Sequence, residues 1–133
     1  MTNTSIVGAW TLVTFEFRTA RGDVVQPFGE QARGTIIYTA SGRYSAQLTR
    51  RDRPHFASGD QLIGTPEEIE ASFKGCISYF GSYEVDAGQR TIIHHVEGSL
   101  FPNMEGRDQK RLFELSGNRL QLTTQSIKLG GEK

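Results

Sequence analysis

Short segments rich in β-branched and aromatic residues recur along this chain, separated by turns that carry glycine or asparagine. This alternation constrains the fold more than any other feature, because it favours many short strands over a few long helices. The first segment is Trp10–Arg18. The turn Arg21-Gly22-Asp23 leads to Val24–Phe28, where Pro27 lies near the end and its missing N–H does least harm. Arg33–Thr39 and Arg43–Arg50 form a tight hairpin through Ser41-Gly42. The second half adds Tyr79–Val85, Thr91–Ser99, Gln109–Leu115 and Leu120–Ser126, with turns at Asp86–Gln89 and Ser116–Asn118. About eight antiparallel strands joined mainly by hairpins predict an all-β meander. Closing it into a barrel removes exposed edges, and a barrel of that size holds one small ligand.

One stretch breaks the strand pattern. Arg51–Gly64 has no period, and its length is unusual for a compact domain, as in lids and binding loops. A helix start follows at once: Thr65 suits an N-cap, Pro66 the first helical position, and Glu68 completes a capping box. Ile69, Phe73 and Ile77 make an apolar stripe at helical spacing, and Gly75 weakens or ends the helix. One amphipathic helix of about three turns is expected between strands 4 and 5, packed against the barrel. With Arg51–Gly64 it would form a lid over the mouth. The tail Gly130-Gly131-Glu132-Lys133 is expected to fray.

The 133 residues suffice for one domain, 1–133, with a real core. Basic and acidic residues balance at 15 each, which offers no global electrostatic case for nucleic acid or an anionic membrane surface. Cys76 is the single cysteine, so no intrachain disulfide forms, and a reducing compartment is favoured. The opening residues MTNTSIVGAW have neither the basic nor the apolar region of a signal peptide. A cytoplasmic location is the default expectation.

Several motifs resemble a known family. Gly8-Ala9-Trp10 matches the Gly-x-Trp signature of lipocalins. Phe56-Ala57-Ser58-Gly59-Asp60, Gly64-Thr65-Pro66-Glu67-Glu68, the run from His94 to Asn103, and Gln109, Arg111 and Phe113 are similar to the small bacterial and fungal lipocalin-like domains. The resemblance spans nearly the whole chain and implies a calycin-type barrel. It says less about function, since such barrels include ligand carriers and some natural-product cyclases and isomerases. The chain departs from secreted lipocalins in lacking a disulfide and a signal peptide.

Strand alternation sorts the candidate residues by face. If Trp10 points inward, as the resemblance implies, Leu12, Thr14 and Glu16 share its face. Arg111, Phe113 and Leu115 share one face of the seventh strand. A buried Arg111 needs an acceptor, with Glu16 and Glu97 as candidates, unless it packs against Trp10 as a lipocalin closing device. His95 and Glu97 share one face and His94 and Val96 the other, and alternation alone does not say which face is inner. Paired His95 and Glu97, with Arg111, are the candidate catalytic groups. Trp10, Glu16, Tyr44, Tyr79, Tyr83, Phe113 and Asn103 are the candidate ligand-binding residues, because tyrosines combine apolar area with a polar tip. No metal and no cofactor is expected: adjacent strand histidines diverge, and no metal or phosphate-loop motif occurs.

Two functions compete on these grounds. One is a barrel that binds a small hydrophobic molecule. The other is a cofactor-independent isomerase, cyclase or dehydratase acting on a hydrophobic, polyketide-like substrate by acid–base catalysis and preorganisation. A third reading, a partner-binding domain, predicts a barrel filled by its own side chains. Neither nucleic acid nor membrane is an expected partner, and the sequence leaves open whether two copies form a homodimer.

Overall fold

A computed structural model describes residues 5–19 and 21–124. The strands are β1 (Gly8–Thr11), β2 (Phe17–Arg18), β3 (Val24–Val25), β4 (Arg33–Tyr38), β5 (Arg43–Thr49), β6 (Cys76–Asp86), β7 (Thr91–Ser99), β8 (Asp108–Ser116) and β9 (Arg119–Thr124). One helix, α1 (Pro66–Lys74), links β5 to β6, and a short 3-10 turn (Pro102–Met104) lies between β7 and β8. Seven strands form one antiparallel sheet in the order β1-β4-β5-β6-β7-β8-β9, while β2 and β3 make a separate ribbon. Side chains from both end strands, Trp10 on β1 and Leu122 on β9, pack on the same core, so the sheet curls into a nearly closed barrel. The predicted mostly-β, lipocalin-like architecture is therefore present. Among the described residues no helix is long and apolar enough to cross a membrane. The predicted frayed tail and the end of the last strand lie outside the described residues.

Several details differ from the expectation. The first predicted strand is split, because β4 begins at Arg33 and the last bond that β1 can make runs from Leu12 N to Gly34 O. Beyond it the chain turns away, and Phe17 pairs with Val25 instead. This extra break places the helix between the fifth and sixth strands rather than the fourth and fifth. The helix is also shorter than expected, at nine residues, with Ile77 already on β6. Its start is as predicted: the Thr65 hydroxyl accepts from Glu68 N at 3.1 Å, and Thr65 N donates to the Glu68 carboxylate at 2.9 Å. Its apolar stripe is not buried, since Ile69 and Phe73 remain about half-exposed.

Residues 50–75 form a closed excursion from the barrel. Arg50 N donates to Gly75 O at 2.8 Å, directly above the Thr49–Cys76 pair. Inside the excursion, Ala57 N donates to Glu68 at 3.0 Å, and Asp60 bridges to Ile63. Leu62 at its tip is 90% exposed.

A β-bulge shapes the middle of the barrel. Tyr79 faces Ser99 across β6 and β7, but Gly81 faces Val96, so β7 carries one extra residue there. The backbones come so close that a Cβ on Gly81 would lie 1.9 Å from His95 O. Only glycine fits this position, which pairs with Tyr44 across β5 and β6.

Candidate functional site

The inner face of the barrel gathers the tyrosines. Tyr38 on β4, Tyr44 on β5 and Tyr79 on β6 are buried in the core with Ile92, His94 and Val96 of β7 and Phe113 of β8, and Tyr83 packs against them. Tyr44 stacks on the imidazole of His94, with centroids 4.2 Å apart. Tyr38 meets Tyr83 edge-on at 4.9 Å, and Tyr44 meets Tyr79 edge-on at 5.6 Å. Edge-on and offset geometries are those that ring quadrupoles favour. Tyr83 closes this end of the barrel, its hydroxyl donating to Thr39 O at 2.7 Å.

His94 is 0% exposed. Its Nε2 lies 2.7 Å from the Tyr38 hydroxyl, and its Nδ1 lies 3.5 Å from the Tyr79 hydroxyl. Burial is the main force on its charge, followed by Arg111 and His95, and together they pull its pKa down to about 3. The imidazole is therefore neutral at physiological pH. Burial also pushes the hydroxyls of Tyr38 and Tyr44 well above the usual phenol range. Tyr44 is 3% exposed, and its hydroxyl has no hydrogen-bond partner among the described residues.

His95 occupies the opposite face. Its Nδ1 sits 2.7 Å from Asp108 on β8, and its Nε2 sits 2.5 Å from Glu84 on β6. The Asp108 carboxylate, then that of Glu84, raises its pKa. Glu97, the other half of the predicted pair, is exposed and forms a two-pronged ion pair with Arg43 on β5. His95 and Glu97 thus share a face, as alternation required, but it is the outer one, and each is tied to a different partner.

Arg111 lies on the inner face, opposite Ile92 and diagonal to His94. It is half-buried and makes no ion pair among the described residues. Its guanidinium donates to Lys110 O at 3.1 Å and reaches Gln109 Oε1 at 3.5 Å. Neither expected acceptor is there. Glu16 is exposed on the segment between β1 and β2, where Thr14 Oγ1 reaches it at 3.5 Å, and Glu97 points outward. Trp10 is half-buried against the core, its indole N–H donating to Ile6 O at 2.8 Å. Asn103 is exposed on the 3-10 turn.

The structure therefore brings together Trp10, Tyr44, Tyr79, Tyr83, Phe113 and Arg111 of the predicted site, and separates Glu16, His95, Glu97 and Asn103 from it. It adds Tyr38 and His94, which are not among the predicted site residues. A signal for His94 was present: it is flanked at two-residue spacing by Ile92 and Val96, whereas His95 shares its face with Glu97. Among the described residues no cluster of three or more His, Cys, Asp or Glu is arranged to hold a metal ion. All five acidic side chains on the strands (Glu84, Asp86, Glu97, Asp108 and Glu114) are exposed.

The comparisons with known proteins agree with this architecture. A family described as "Lipocalin-like domain" matches residues 7–133. The chain is also 33% identical over 86 residues to the 4'-hydroxy-3'-methoxypropiophenone carrier protein ppsC of Aspergillus oryzae, an alignment covering 60% of this chain and 78% of that protein. With the curled sheet and its ring-lined interior, the match across residues 7–133 establishes that this chain belongs to the lipocalin-like domain family.

Proposed function

We infer that this protein is a binding barrel that carries a small, largely hydrophobic aromatic molecule in its interior. The observation that carries the reading is a ring-lined inner face bordered by apolar side chains that the chain itself leaves partly uncovered. Trp10, Ile36, Leu115, Leu120 and Leu122 all pack on the core, yet each keeps part of its surface exposed. Apolar side chains left in this state gain when a guest covers them, by roughly 25 cal/mol per Å2 of surface removed from water. The guest would meet rings on several sides and few polar groups, the usual make-up of a small-molecule site. A relative named as the carrier of an aryl ketone fits the same class of guest.

The acid–base alternative has less support. The inner histidine–tyrosine pair, His94 and Tyr38, is made of a weak base and a weak acid, because burial holds the imidazole neutral and keeps the phenol protonated. The titratable histidine, His95, faces outward between two carboxylates.

Trp10 is the single tryptophan and reports on the interior. Titration with acetophenone and with an apolar dye should quench its fluorescence saturably, at one guest per chain by calorimetry. Linear, non-saturable quenching by both would overturn the reading.

A further inference from the structure

The barrel's inner face carries a cation without a counter-charge and a hydrogen-bond donor without an acceptor among the described residues. Arg111 on β8 projects from the inner face, half-buried and without an ion pair among the described residues. Tyr44 on β5 is more than nine-tenths buried, and its hydroxyl has no hydrogen-bond partner among the described residues. A buried donor left unmade carries a desolvation cost, and so does a cation with no counter-charge. Both groups lie on the inner face beside His94, which Tyr44 stacks upon and Arg111 faces diagonally. No acidic side chain of any strand turns inward to satisfy them.

We propose that this pole selects a guest with an acidic oxygen, and that the guest binds as its delocalised oxyanion, a phenolate or enolate, with the Tyr44 hydroxyl donating to that oxygen and Arg111 supplying the counter-charge. The inference rests on the carrier reading and narrows its class of cargo. On binding, the guest's O–H proton leaves to solvent, and the negative charge stays spread over the guest's conjugated system. Delocalisation suits the site. A compact carboxylate would lose its full hydration for one donor and one cation, whereas a delocalised anion has less hydration to lose. The groups that face this position are Tyr38 on β4, Tyr79 and Tyr83 on β6, His94 on β7 and Arg111 on β8. Burial keeps Tyr38 and Tyr83 protonated and His94 neutral at physiological pH, and β9 contributes Leu120, Leu122 and, opposite Arg111, the uncharged Thr124. Arg111 is therefore the only charge on this face of the described strands.

The probes are 4-nitrophenol, whose phenolate absorbs in the visible, and its neutral isostere 4-nitroanisole. Titrating 4-nitrophenol against pH with the protein in excess should show its ionisation moved down by about one pH unit, a roughly tenfold preference for the anion. The Arg111→Met variant should bring the shift close to zero, and Tyr44→Phe should reduce it. An unshifted or raised ionisation in the wild-type protein would overturn the proposal and leave the carrier reading standing. So would binding of 4-nitroanisole as tightly as the phenolate, or failure of both nitro probes where the apolar dye still binds. Failure of every guest, dye included, would overturn both. The wild-type measurement decides the matter even if a variant fails to fold.

Discussion

Adjacent residues on β7 live in opposite worlds. His94 is sealed among tyrosine rings and held neutral. His95, one residue on, stands on the barrel's outer surface, held between two carboxylates and biased toward the cation. Identical side chains on one backbone differ because a strand turns successive residues to opposite faces. The lesson is that chemical type sets what a histidine can do, and the face sets what it does. The inner position is coupled to packing and to the proposed cargo. The outer position is coupled to solvent and to surface charge.

Truncation gives the largest contrast. His94→Ala removes a fully buried ring, its stack with Tyr44 and the partner of the Tyr38 hydroxyl. A loss of about 4 kcal/mol of unfolding free energy is expected in urea denaturation. A loss below about 1 kcal/mol would show that the interior closes over the gap, and the two faces would then differ less than their burial suggests.

The pH response should be opposite in sign on the two faces and, per pH unit, smaller than the effect of truncation. His94 has a folded pKa near 3, below the ordinary value of 6.5, so the unfolded chain binds its proton more readily. Its contribution is complete above pH 6.5 and is lost as pH falls toward 3, at about 1.4 kcal/mol per pH unit. His95 behaves the other way. Its folded pKa is raised, so its contribution is complete below 6.5 and is lost as pH rises through the raised value. NMR titration of the ring protons separates them: one histidine should titrate above 6.5, and another should stay neutral down to the acid-unfolding region. Two histidines titrating together near 6.5 on residues 94 and 95 would erase the distinction.

The smallest effect belongs to the outer histidine. His95→Gln should change stability at neutral pH by less than about 1 kcal/mol, as exposed ion pairs generally do. It should also flatten the alkaline side of the stability curve. A change as large as that for His94→Ala would mean that the Glu84–His95–Asp108 clamp holds β6, β7 and β8 together far more strongly than its exposure implies.

Much of the architecture was legible in the sequence because strands and hairpins are local events. The β4–β5 hairpin at Ser41-Gly42 and the Thr65–Glu68 capping box depend on residues a few positions apart, and both are where the pattern put them. The split of the first strand was not legible. Whether residues 13–16 continue β1 depends on where β4 begins, some twenty residues later in the chain. The site followed the same division. Alternation correctly grouped His95 with Glu97 and Arg111 with Phe113. It did not say which group was inner, because that choice depends on how the whole sheet curls. The isolation of Arg111 was hidden for a similar reason, since Glu16 leaves the sheet altogether. The bulge at Gly81 gave no sign beyond a glycine inside a strand.

The excursion from Arg50 to Gly75 has a consequence for how the molecule divides its stability. Its ends meet in one backbone hydrogen bond, its helix is capped by its own residues, and no residue of that helix is buried. Little of the barrel's core would be uncovered if it came apart. The excursion and the barrel are thus separate cooperative units, and amide exchange should be fast in one while the other stays protected. Mutations can accumulate in one unit without weakening the other, which leaves residues 50–75 open to adaptation around a barrel that stays the same.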